Sequence, residues 1–146
     1  MLGAHPLRNL RGAVGLTLLA ALTVSLGAAA AAPARVQASS KVSVVLKEWK
    51  LTPSAARIGA GKVTFVVKNT GALEHEFVVL RSDAHHHALA VKGGEAVETG
   101  LRGEIEKVSP GQQQSLTLTL KPGKYVLLCN LLGHYRAGQF AALRVT

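Results

Sequence analysis

The chain has 146 residues, room for one domain of ordinary size and too few for two. Lys and Arg number 17 against 8 Asp and Glu, a formal net charge of +9, and hydrophobic residues reach 48 % while aromatics stay at 4 %. No second uncharged apolar run of spanning length follows the first, which excludes a multi-pass membrane protein, and the remaining composition is neither disordered nor collagen-like.

That first run extends from Gly12 to Ala32 without a charge, behind Arg8 and Arg11, and dissolves into small residues before Pro33. Basic, apolar and small-residue segments in this order predict a secretory signal peptide cut between Ala28 and Ala34. An uncleaved membrane-anchor helix is the alternative. Residues 1–32 therefore read as signal or anchor, 33–40 as a linker and 41–146 as the domain. Both readings export the domain to the periplasm or another extracytoplasmic space. Cleavage removes Arg8 and Arg11 and leaves 15 basic against 8 acidic residues, a net +7. The basic residues are scattered singly with few aromatics between them. That argues against nucleic-acid binding and leaves a solvated basic surface able to steer an acidic partner.

Beyond Lys41, period-2 and β-branched runs replace helical periodicity. Val42–Leu46, Lys62–Lys68, Glu74–Leu80, Ser115–Leu120, Lys124–Cys129 and Gln139–Val145 are predicted strands. Gly and Pro turns such as Pro110-Gly111 and Pro122-Gly123 separate several of them. Arg81 to Gly103 has no clear period and is expected to be a long surface excursion. The pattern predicts an all-β domain built as a sandwich or barrel.

Cys129 is the chain's sole cysteine, where an exported protein usually carries pairs. It could be an inert thiol, half of an intermolecular disulfide, a nucleophile or a metal ligand. Its neighbours favour the last. In Cys129-Asn-Leu-Leu-Gly-His134-Tyr-Arg-Ala-Gly-Gln139 four residues separate Cys129 from His134 and four more separate His134 from Gln139, and a loop can turn all three towards one point. His75 on an earlier strand offers a second imidazole. Two imidazoles and one thiolate with a weak axial donor make a trigonal copper site, in which soft thiolate favours Cu(I) and imidazole accepts either state.

The Cys129–Gln139 segment resembles the C-N-L-P-G-H-Y-x-x-G-M signature of the cupredoxins, the small blue copper proteins of the plastocyanin and azurin type. Asn69-Thr-Gly-Ala-Leu-Glu-His75-Glu-Phe-Val78 is similar to their N-x-G-x-x-x-H-E-F-V stretch. The resemblance covers Val42 to Val145 and implies a Greek-key β-sandwich with one type 1 copper at one end, shuttling single electrons. It also implies His75, Cys129 and His134 as ligands and a hydrogen bond from the Glu76 N–H to the thiolate sulfur. Leu132 stands where the signature has Pro. Gln139 stands where it has Met, and the chain's single Met is Met1. Some family members use an axial Gln oxygen, so Gln139 is expected as fourth ligand; the alternative leaves that position empty or to a backbone carbonyl, with Gln139 in solvent.

Paired His-x-His motifs of multicopper oxidases are absent, and nothing beside Cys129 suggests a substrate site for a thiol hydrolase. The reading is a monomeric, non-enzymatic electron carrier with redox-protein partners. Its rival is a periplasmic copper-binding protein for capture or delivery. His85-His86-His87 reads as a loop cluster that binds metals adventitiously. Tyr135, Phe77, Phe140 and Trp49 read as core or rim packing.

Overall fold

The computed structural model describes residues 39–146; residues 1–32 and most of the linker, with the expected signal or anchor, lie outside them. Among the described residues there is no helix, and the chain forms the strands β1 (Ser40–Lys47), β2 (Lys50–Pro53), β3 (Arg57–Ile58), β4 (Gly61–Asn69), β5 (His75–Arg81), β6 (Val91–Lys92), β7 (Glu95–Ala96), β8 (Leu101–Val108), β9 (Gln113–Leu120), β10 (Gly123–Leu128) and β11 (Phe140–Val145). They build a four-stranded sheet, β2-β1-β4-β9, facing a five-stranded sheet, β3-β11-β10-β5-β8, with a small β6-β7 hairpin. This is the expected all-β sandwich.

Alternation dictates the core. Val42, Val44 and Leu46 of β1 and Val63, Phe65 and Val67 of β4 point inwards from one sheet, and Phe77, Val79, Tyr125, Leu127, Leu143 and Val145 meet them from the other. Each such side chain removed from water contributes about 1.5–3 kcal/mol. The Leu face of β9 also points inwards, but Leu116 and Leu118 are only partly buried because β9 is an edge strand.

Two expectations are corrected. The stretch from Arg81 to Gly103 is more than a surface excursion. Ala96, with Leu89 and Val91, packs with Tyr135 and Phe140 over Val78, Leu80, Val126 and Leu128 on the outer face of the second sheet. Both faces of β5 and β10 are therefore covered, and their burial runs continuously rather than alternating. The second correction is β8, which starts at Leu101 inside that stretch. Arg102, Glu104 and Glu106 hide its period, since an edge strand exposes much of its length.

Candidate metal centre

Two loops at one end of the sandwich carry the site. The first joins β4 to β5 and is pinned by Asn69, the buried last residue of β4. Its Nδ2 donates to the carbonyls of Leu73 (2.7 Å) and Val108 (2.8 Å), and its Oδ1 accepts from the Gly71 N–H (2.8 Å). This delivers His75, fully buried, as the first residue of β5. The β5–β8 ladder slips register between His75 and Phe77, and the Glu76 N–H donates instead to Cys129 Sγ at 3.2 Å. Irregularities of this kind re-aim groups beside functional sites.

The second loop joins β10 to β11. Cys129, fully buried, follows the last residue of β10. Turn hydrogen bonds run from the His134 N–H to Leu131 O (2.9 Å), from Ala137 to Gly133 O (2.9 Å) and from Gln139 to His134 O (3.1 Å). Gly133 and Gly138 supply the left-handed backbone these turns need, at φ 82° and 103°. Asn130 fastens the loop to β7, exchanging hydrogen bonds with both backbone groups of Ala96 and donating to Glu98 Oε1 (2.8 Å). The loop makes these bonds without the signature's Pro; Leu132, in its place, is 69 % exposed.

His75, Cys129 and His134 each present one ligand atom within 4.8 Å of the others. Cys129 Sγ lies 3.2 Å from His134 Nδ1 and 4.0 Å from His75 Nδ1. Gln139 joins them, fully buried and not in solvent: its Nε2 donates to Lys47 O (3.1 Å) and lies 3.0 Å from His75 Nδ1. Its Oε1 is buried without a hydrogen-bond partner. Burial, then the neighbouring His134, pushes the His75 pKa below its ordinary value, which keeps the imidazole neutral with a lone pair to give. Burial pushes the Cys129 thiol up, against the Glu76 amide, so a thiolate here calls for a cation.

A family model described as a cupredoxin-like domain matches residues 15–142. The chain belongs to the cupredoxin-like family. It is 33 % identical over 142 residues to the copper-resistant cuproprotein CopI of Pseudomonas aeruginosa, a match covering 75 % of this chain and 77 % of CopI. It is also 30 % identical over 92 residues to the iron uptake system component EfeO of Escherichia coli (strain K12), covering 63 % of this chain but 20 % of EfeO. Among solved structures, reduced auracyanin from Roseiflexus castenholzii superposes with a TM-score of 0.57 at 22 % identity, over 75 % of this chain and 98 % of that one. Rusticyanin from Thiobacillus ferrooxidans gives 0.60 at 16 %, over 74 % and 77 %. These two likenesses are of fold.

The donor chemistry fits the cupredoxin metal, one type 1 copper ion. Two imidazoles and a thiol converge on one spot, His75 and Cys129 fully buried and His134 half-buried, and a buried amide oxygen of Gln139 lacks any hydrogen-bond partner. His85, His86 and His87 lie apart from it. His85 and His87 stack on each other at 5.4 Å, His86 packs on Phe140 at 5.3 Å, and among the described residues the three form no convergent ligand group. Phe77 is core, as expected. Tyr135 packs over the outer sheet with its hydroxyl donating to His86 O (3.0 Å), and Trp49 sits at the rim, edge-on to His134 at 5.0 Å.

Sequence reasoning did not find the acidic group Glu76, Glu98 and Glu104, whose oxygens also approach within 4.8 Å of one another. Burial, then repulsion from Glu98 and Glu104, raises the Glu76 pKa to about 7. Nor did it find Glu48, whose Oε1 lies 3.7 Å from His75 Nε2. Both are tertiary encounters that no local spacing signals.

Proposed function

We propose that the chain is an exported type 1 copper protein that carries single electrons between redox proteins, with His75, Cys129 and His134 as ligands and the Gln139 oxygen as the axial donor. The observation that carries this reading is the convergence of buried His75 and Cys129 with half-buried His134 at one point. Bound copper supplies the one-electron Cu(II)/Cu(I) couple. The chain's own contribution is rigidity. The Glu76 N–H donates to the sulfur and Asn69 and Asn130 fix the two loops, so the chain would hold the ligands in place around the ion. Little reorganisation suits a carrier rather than an enzyme.

Of the four side chains His134 alone is part-exposed, and its surroundings, Trp49 and Leu132, are apolar and exposed, so electrons leave along its edge. The partners we expect are acidic, to match a net +7 after signal cleavage, and the carrier works as a monomer in the periplasm. The test is optical. Loaded with Cu(II), the protein should show an intense visible thiolate-to-copper band that Cys129→Ser abolishes and His87→Ala leaves intact. Cu(II) uptake without colour would defeat the assignment.

A second reading, copper capture or delivery, is favoured by the similarity to a relative named a copper-resistant cuproprotein. Voltammetry separates the two. Reversible cycling between Cu(II) and Cu(I) supports the carrier, and Cu(I)-only binding with ready transfer to a chelator supports delivery.

A further inference from the structure

The turn between β1 and β2 touches three of the four candidate ligands. Lys47 O accepts from Gln139 Nε2 at 3.1 Å, the Glu48 carboxylate faces His75 Nε2 at 3.7 Å, and the Trp49 ring meets His134 at 5.0 Å. Trp49 takes φ 48°, a left-handed conformation uncommon for a bulky residue and one that strained functional turns adopt.

The hydrogen bonds decide where the His75 proton lies. Lys47 O can only accept, so the nitrogen end of the Gln139 amide faces it. That same nitrogen lies 3.0 Å from His75 Nδ1, which therefore accepts and carries the lone pair. The proton of the neutral ring is then on Nε2, a fully buried atom with no hydrogen-bond partner, opposite Glu48 Oε1. Closing that gap by ~0.5 Å would make an N–H···O bond.

Glu48 is itself held. Its Oε1 accepts the N–H groups of Ala72 (2.6 Å) and Leu73 (2.8 Å). The Leu73 amide foremost keeps its carboxyl below the ordinary carboxylate range. A Cβ at Gly71 would overlap the carboxylate, so glycine there makes room for it.

We infer that Glu48 is the positioning residue of the copper site: its carboxylate holds His75 with Nε2 protonated and Nδ1 presented to the metal, and its charge favours Cu(II) over Cu(I). A carboxylate behind a ligating imidazole fixes its tautomer and raises its basicity. The inference rests on His75 being a copper ligand, so its test separates the two claims.

Voltammetry and visible spectra of wild type, His75→Ala, Glu48→Gln and Gly71→Ala are compared, together with nitrogen NMR of the His75 ring in copper-free protein. Glu48→Gln should keep the charge-transfer band and raise the reduction potential, by roughly a tenfold change in the Cu(I)/Cu(II) ratio or about 59 mV for one electron. Gly71→Ala, which displaces the carboxylate without removing it, should shift it the same way by less. The NMR should find the proton on Nε2. An unchanged potential in Glu48→Gln with the band intact, or a proton on Nδ1, overturns the role of Glu48 and leaves the ligand reading standing. A full band in His75→Ala overturns both.

Discussion

The Cys129 N–H donates to the carbonyl of Gln139 at 3.0 Å, so the loop that carries Cys129, His134 and Gln139 is closed at its own base. One short segment thereby fixes three of the four candidate ligands through backbone bonds that do not involve a metal. His75 arrives from the neighbouring strand, and the Glu76 N–H to Cys129 Sγ links the two loops. These bonds belong to the chain itself.

Metal removal should therefore leave the fold in place while lowering its stability. A ligand that binds only the native state adds roughly 4 kcal/mol when free at a thousand times its Kd. Chelator-treated protein should keep a β-type far-ultraviolet circular dichroism spectrum and unfold cooperatively at a lower temperature than copper-loaded protein. Loss of the β spectrum on chelation would contradict a pre-formed site.

Asn69→Ala should be among the costlier polar substitutions. It removes three hydrogen bonds and strands the buried Val108 carbonyl, a loss of about 3 kcal/mol at roughly 1 kcal/mol per bond. Chemical denaturation measures the loss. Because Asn69 anchors the loop ahead of His75, copper affinity should fall with it, and a stability change below about 0.5 kcal/mol would show the pin to be dispensable.

What the sequence revealed and what it hid divide by range. The Cys129–Gln139 spacing and the His75 stretch were legible because each is a local loop whose geometry its own glycines and asparagines set. The core strands β1, β4 and β9 were legible because one face of each meets the core and the other meets solvent or stays half-open. The period vanished in β8, where charges decorate an edge, and in β2 and β3, which are too short to have one. Glu48 stayed hidden for another reason: its meeting with His75 is made by the parallel pairing of β1 with β4, which brings Leu46 beside Asn69.

Across the core, Phe65 and Phe77 are both fully buried and their rings meet at 5.3 Å with an interplanar angle of 53°. They tie the two sheets together directly beneath the His75 end of β5. Phe77→Ala should cost about 3–5 kcal/mol. A double-mutant cycle of Phe65→Leu and Phe77→Leu should return a coupling of about 1 kcal/mol, the worth of a tilted aromatic pair beyond its burial. Simple additivity would mean that the rings contribute area alone.

Gln139→Met tests the axial assignment. The Gln139 oxygen is buried and unpartnered while the amide nitrogen donates to Lys47 O and faces His75, which is why we propose the oxygen as the donor. An amide oxygen is a harder donor than a thioether and interacts more strongly with Cu(II) than with Cu(I). It should hold the reduction potential down. Substituting Met gives a softer donor, favours Cu(I) and should raise the potential, by on the order of 59 mV for each tenfold gain in the preference for Cu(I). Losing the bond to Lys47 O costs stability as well, about 1 kcal/mol, and denaturation separates that from the redox effect. Voltammetry and copper EPR of the two proteins decide it. A variant with the potential and EPR parameters of wild type would mean that Gln139 is no ligand, and that its buried amide serves only to join the β1–β2 turn to His75.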